Sequence, residues 1–193
     1  MQHFDDIIIG FGKGGKTLAG YLAGKGRKIA LIEKDNQMYG GTCINVGCIP
    51  SKSLVTSGLY AQRGGADPVF AASAERYHKA IAEKRRVTSL LRQKNYDKLA
   101  ANPNATVIDG TASFVSNTEI AVTTAAGVSN YTAERFFINT GSTSIIPGIP
   151  GLKDNHLVFD SRSLMELDTL PARLVIIGGG YIGLEFASMY ATF

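Results

Sequence analysis

Asp6-Ile7-Ile8-Ile9-Gly10-Phe11-Gly12-Lys13-Gly14-Gly15 decides the fold. The aliphatic run is the pattern of a short strand buried on both faces, as in parallel sheets. Gly10, Gly12 and Gly15 follow in Gly-x-Gly-x-x-Gly spacing, and Lys16 to Lys25 has helical composition ended by Gly24 and Gly26. Lys28-Ile29-Ala30-Leu31-Ile32-Glu33 supplies the next strand. This order predicts a βαβ unit that cradles a dinucleotide. The glycines permit the tight turn, the approach of backbone to a pyrophosphate, and close helix–strand packing. The helix N-terminus offers N–H groups to the phosphates. Glu33, 18 residues beyond Gly15, stands where an acid grips ribose hydroxyls. That acid argues against a 2′-phosphate at this site, because like charges repel.

Just beyond Glu33 comes Gly40-Gly41-Thr42-Cys43-Ile44-Asn45-Val46-Gly47-Cys48-Ile49-Pro50-Ser51-Lys52, which holds both cysteines of the chain. Residues five apart in an undistorted helix lie roughly 8 to 9 Å apart between Cα atoms. A disulfide requires about 7 Å or less, so bonded Cys43 and Cys48 exclude a regular helix between them. Gly47 gives conformational freedom beside Cys48. Pro50 suits the first turn of a helix that starts there, which seats Cys48 at a helix N-terminus. Two buried, unpaired core cysteines are the plain alternative. A zinc site needs about four ligands, and His3, His78 and His156 are scattered, so no metal site is expected.

Met1 to Asp6 leads directly into the first strand, with no secretory leader pattern. No apolar run approaches the roughly 20 residues of a membrane span. A cytoplasmic protein without membrane attachment is expected. In a reducing compartment a close cysteine pair is more often catalytic or redox-sensing than structural.

A second cradle lies near the end. Leu174-Val175-Ile176-Ile177 has the pattern of another buried strand, and Gly178-Gly179-Gly180-Tyr181-Ile182-Gly183 follows it. A helix is expected over Leu184 to Tyr190. The sequence ends at Phe193, before any strand that would carry a second ribose acid.

Two such glycine loops flanking GGTCINVGCIPSK resemble the class I pyridine nucleotide-disulfide oxidoreductases, which include dihydrolipoamide dehydrogenase, glutathione reductase and mercuric reductase. The resemblance extends to Val107-Ile108-Asp109-Gly110-Thr111-Ala112-Ser113-Phe114, to Ile138-Asn139-Thr140-Gly141-Ser142, and to Ile146-Pro147-Gly148-Ile149-Pro150-Gly151. Gly-Phe-Gly-Lys, Met-Tyr-Gly-Gly-Thr and Phe-Ile-Asn-Thr-Gly look most like the bacterial reductases of reactive-chlorine and copper stress.

The resemblance implies an α/β fold: a Rossmann-like, three-layer FAD/NAD(P)-binding domain with a parallel sheet, plus the start of a second nucleotide-binding domain. Residues 1–148 would form the FAD domain, with a helical excursion over about 55–100, and 149–193 would begin the NAD(P) domain. FAD would be held by Gly10, Gly12, Gly15, Glu33, Gly41, Thr42, Lys52, Ala112, Thr140 and Gly141. Gly178, Gly180 and Gly183 would hold NAD(P)H, the co-substrate. Electrons would run from NAD(P)H through FAD to a Cys43–Cys48 disulfide, and on to a small-molecule thiol or disulfide, or a metal ion. Cys48 matches the thiol facing the flavin, and Cys43 the interchange thiol that attacks the acceptor. Lys52 matches a lysine near flavin N5, Glu185 its carboxylate partner, and Tyr181 an aromatic gate over the flavin.

Family members run to roughly twice this length or more and form homodimers. A partner-reaching His–Glu pair and a later Gly-Asp flavin motif have no counterpart here. The sequence is therefore expected to be an N-terminal fragment that does not turn over alone. Dihydrolipoamide dehydrogenase shares every motif present, and a non-catalytic flavin-binding redox sensor would use the same cysteines.

The hydrophobic content of 45% suffices for a core. Ser73 to Leu99 has a helical pattern, with Tyr77, Ile81, Val87, Leu90, Leu91 and Leu99 as core candidates. Net charge is +4, densest at Lys84-Arg85-Arg86. Without aromatic interleaving or a nucleic-acid-binding signature, that run reads as a solvated helix face, and no nucleic-acid partner is expected. Gly64 to Pro68 has the composition of a flexible loop, and short alternating strands are expected from Asn104 to Thr123.

Overall fold

A computed structural model describes residues 1–64 and 69–193; most of the expected loop at 64–68 lies outside them. Six strands form one mixed sheet: β1 (Gln2–Ile9), β2 (Ile29–Glu33), β3 (Ala105–Asp109), β4 (Thr111–Phe114), β5 (Glu119–Thr124) and β6 (Gly127–Ile138), in the order β3-β2-β1-β6-β5-β4. β3, β2, β1 and β6 run parallel, whereas β5 pairs antiparallel with both β4 and β6. The helices are α1 (Lys13–Gly24), α2 (Thr42–Asn45), α3 (Cys48–Arg63), α4 (Phe70–Ala100), α5 (Ser161–Leu164) and α6 (Tyr181–Ala191). The expected mixed α/β, Rossmann-like architecture is present.

The described residues gather into two compact units, one of residues 1–45 and 89–142, the other of 46–88 and 143–193. In the first unit the alternation of side chains along β1 and β2 feeds two cores. Ile8, Ile29 and Leu31 meet Ala19 and Ala23 of α1 and Leu99 of α4 on one face. Phe4, Ile7, Ala30 and Ile32 meet Ile120 and Val122 of β5 and Ala133 of β6 on the other. β1 begins at Gln2, four residues before the expected Asp6, because Gln2 to Phe4 pair with Tyr131 to Ala133 of the long strand β6.

Asp6 is fully buried within this sheet. Its carboxylate accepts from Arg27 Nε at 2.5 Å and Arg135 Nε at 2.7 Å. Burial pushes the carboxyl up, but the two guanidinium hydrogen bonds outweigh it and hold the group below its ordinary value.

In the second unit Leu54 of α3, Tyr77 and Ile81 of α4, and Phe186, Met189 and Tyr190 of α6 form one core. The Tyr77 and Tyr190 hydroxyls lie 3.0 Å apart and within hydrogen-bond distance of the carbonyls of Leu167 and Leu164 respectively, two protons being shared among the three contacts. Gly58 gives α3 its close seat against α6, since a Cβ there would overlap the Thr192 side chain.

Three expectations are corrected. Lys84 is fully buried rather than solvated; its ammonium donates to Met165 O at 2.7 Å and pairs with Glu166 at 2.5 Å. Burial lowers its pKa against the support of Glu166, while neighbouring Arg85 pairs with Asp168 at 2.6 Å. A cation from α4 thus meets the carbonyl and carboxylate of the segment after α5. Leu90 is exposed, because Ile81, Lys84, Thr88 and Leu99 take the inward positions. Finally, Leu174 to Ile177 forms no strand: no backbone among the described residues pairs with it. Leu174 and Ile176 pack on the second core, and Val175 and Ile177 stand 83% and 61% exposed.

Two stability tests follow from these charges. Asp6→Asn is expected to cost roughly 2–4 kcal/mol in urea unfolding at neutral pH. The depressed folded-state pKa fixes the sign: the wild-type advantage is full above the unfolded value near 4 and shrinks as pH falls through the folded value. Lys84→Met, which fills the same space without a buried charge, should stay within about 1 kcal/mol of wild type. Lys84→Ala should lose roughly 2–4 kcal/mol through the cavity it leaves.

Candidate functional site

β1 ends at Ile9, and the backbone turns at Gly10 with φ +108°. A side chain there is excluded twice, by the left-handed backbone and by the Asn139 carbonyl against which a Cβ would collide. Gly12 is the extended N-cap of α1 and carries no capping side chain. The first intrahelical bond runs from Lys16 N to Gly12 O at 3.0 Å, so the N–H groups of Lys13, Gly14 and Gly15 precede it and have no partner within the helix. Gly15 packs on the Gly10 carbonyl and on Ile8.

Asn139, quoted above only as part of a motif, organises this turn. It follows β6, and its amide N donates to Ile9 O at 2.8 Å. Its side chain donates to Gly10 O at 3.2 Å and stands 2.8 to 3.1 Å from where a Cβ on Gly12, Gly14 or Gly15 would be. The signal in the sequence was its place at the end of a strand, just before Thr140 and Gly141. Thr140 is exposed and Gly141 has φ +73°.

Glu33 closes the other side. Its carboxylate accepts from Phe11 N at 2.8 Å and from Asp35 N at 3.2 Å, which fixes it beside the glycine turn. Ala112 is half-buried in β4 and packs on the core of that sheet face. Tyr39 packs against Phe11 and stacks on Tyr96, with ring centroids 5.0 and 4.9 Å away, and donates to Asp109 at 2.5 Å. Burial first, and then that carboxylate, raises the Tyr39 pKa.

The cysteine-bearing turn abuts the same loop. Gly41 has φ +81°, and a Cβ on it would stand 2.5 Å from Gly12 Cα. Thr42 and Cys43 are exposed in the short helix α2, which stops at Asn45. Val46 and Gly47 interrupt the helix before Cys48, also exposed, starts α3. Asn45 is a second site residue that the sequence reading did not single out. It is buried, donates to the carbonyls of Tyr39 at 2.9 Å and Gly41 at 3.0 Å, and accepts from Arg92 Nε at 2.9 Å. Arg92 in turn reaches Gln37. A polar residue inside an otherwise apolar Ile-Asn-Val run was the available clue.

In the second unit, Lys52 of α3 and Glu185 of α6 form an ion pair at 2.5 Å. The other loop repeats the first in its backbone. Gly178 has φ +104°, Gly180 is the extended, uncapped N-cap of α6, and Gly183 packs on the Gly178 carbonyl and Ile176. Tyr181 stands 82% exposed at the start of that helix. A cavity of about 540 Å³ lies beneath this loop, lined by Ile145, Leu157, Phe159, Leu174, Ile176 and Phe186 among others. Among the described residues no cluster of metal-ligating side chains occurs, and no helix is long and apolar enough to cross a membrane.

This arrangement has close counterparts. The probable pyridine nucleotide-disulfide oxidoreductase RclA of Escherichia coli is 46% identical over 193 residues, covering 100% of this chain and 41% of that protein. The mercuric reductase of Streptomyces lividans is 36% identical, covering 97% of this chain and 40% of its own length. The solved Cu(II) complex of the HOCl-induced flavoprotein disulfide reductase RclA from Escherichia coli superposes with a TM-score of 0.88 at 47% identity, over 100% of this chain and 41% of that one. The chain thus spans about two fifths of the length of these relatives. The family model for pyridine nucleotide-disulphide oxidoreductases matches residues 4–193, and the chain belongs to that family.

Proposed function

We propose that this chain supplies the flavin cradle and the redox dithiol of an NAD(P)H-dependent disulfide reductase. The observation that carries this is the seat of Gly41 on Gly12, which packs the cysteine-bearing turn directly on the N-cap of the phosphate helix. FAD suits the cradle: the uncapped N–H groups of α1 meet a pyrophosphate, the glycines leave it room, and Glu33 is fixed to take ribose hydroxyls. Bound there, FAD would supply two-electron chemistry between a nicotinamide hydride and a disulfide.

The remaining roles belong to the chain's own groups. Gly178, Gly180 and Gly183 admit the pyrophosphate of NAD(P)H at α6, and the exposed Tyr181 covers the approach. Lys52, braced by Glu185, holds a cation for negative charge that develops beside it. Ala112, Thr140 and Gly141 line the flavin side, and Thr42 borders the dithiol. Cys48 takes the flavin-facing place and Cys43 meets the acceptor. The acceptor class is a small thiol or disulfide, or a metal ion such as the Hg(II) implied for the mercuric reductase relative. A cytoplasmic homodimer is the proposed setting of the whole protein.

Anaerobic two-electron reduction of the chain with FAD, followed in the visible spectrum, tests this reading. A new long-wavelength band is expected on reduction in the wild type, where the disulfide takes the electron pair and the flavin stays oxidised. In Cys43→Ser, which has no disulfide, the band is expected before reduction and lost on it. In Cys48→Ser it is expected in neither state. Identical bleaching in all three proteins would contradict the assignment.

A further inference from the structure

We infer that Lys16 is an electrostatic positioning residue for the Cys43 thiol, favouring the form in which its proton has passed to water. The inference deepens the proposed function and rests on Cys43 being the sulfur that meets the acceptor.

Lys16 lies in the first turns of α1, half-buried, with its amide tied to Gly12 O. Its ammonium donates to Asn95 Oδ1, and Asn95 is itself fixed by a 2.6 Å bond from its Nδ2 to Leu91 O. Asn95 stands against the cysteine-bearing turn, since a Cβ on Gly40 would lie 3.4 Å from Asn95 Cγ. The next residue, Gly41, rests on Gly12. Lys16 is therefore held between the phosphate turn and the wall of the turn that launches α2, two residues before Cys43.

The charges around Lys16 leave Cys43 as its counterpart. Burial first, and then the cations Lys13 on α1 and Lys98 on α4, oppose the Lys16 ammonium, while the Cys43 thiolate supports it. Among the described residues no carboxylate forms a salt bridge with Lys16. The other nearby cation on α4, Arg92, is engaged by the neutral oxygens of Asn45 and Gln37. An ammonium held by a neutral amide rather than a carboxylate is not neutralised by its partner, so its charge acts on the thiol that supports it. Attraction of that kind favours thiolate over thiol, and thiolate is the form that attacks sulfur or binds a soft metal.

The test is site-resolved alkylation of the reduced chain with iodoacetamide as a function of pH, with Cys43 and Cys48 read separately by mass spectrometry. Lys16→Met should move the Cys43 profile to higher pH and slow its neutral-pH alkylation roughly three- to tenfold, leaving the Cys48 profile in place. Lys16→Arg should restore most of the rate. Asn95→Ala, which frees the ammonium, should shift Cys43 in the same direction by less. An unchanged Cys43 profile in Lys16→Met, or an equal shift of both cysteines, would overturn the inference. The alkylation needs no flavin: a Cys43 shift with no flavin–thiol band in the wild type would sink the functional reading alone, and the reverse would sink only the role of Lys16.

Discussion

Backbone approaching backbone, with no room for a Cβ, is the constraint on which the first unit depends. Gly10 turns under the Asn139 carbonyl, Gly15 rests on the Gly10 carbonyl, and Gly41 rests on Gly12. Three separated stretches of chain, at the ends of β1 and β6 and before α2, thereby meet at one point. The same closeness packs helix against strand, and the helix that starts there has no capping side chain, which leaves its first N–H groups for an anion. Asn139 completes the arrangement by giving the Gly10 carbonyl a donor.

The two glycine loops isolate what is local in this design. Gly178 to Gly183 reproduces the left-handed first glycine, the extended N-cap and the packed last glycine of Gly10 to Gly15. It does so although Leu174 to Ile177 lacks strand neighbours among the described residues. Loop geometry here follows from the residues of the loop and the helix they start. A strand instead needs a partner backbone for its N–H and C=O groups. Half of that segment packs on a core and half is bare.

The same division explains what was legible in the sequence. Strand, turn and helix of the first cradle were readable because each is encoded within a few residues. The Lys52–Glu185 pairing was expected only through family resemblance, since 133 residues separate the two. Asn45 and Asn139 escaped notice because their work is done by amide contacts with carbonyls that tertiary packing brings near. Lys84 was misplaced for a related reason. A lysine in a basic run looks solvated until a carbonyl and a carboxylate, here from Met165 and Glu166, draw it inward. Leu90 shows the converse: its helix has more apolar residues than inward positions.

The first glycine cradle and the cysteine-bearing turn form one mechanical piece joined at Gly41 and Gly12. FAD binding and Cys43 alkylation, both measured on Gly41→Ala, address it most directly. Gly148→Ala, where a Cβ meets nothing, serves as the control. Gly41→Ala is expected to weaken FAD binding at least about tenfold and to change the Cys43 rate together with it, while Gly148→Ala leaves both as they were. Loss of one property with the other intact would contradict it.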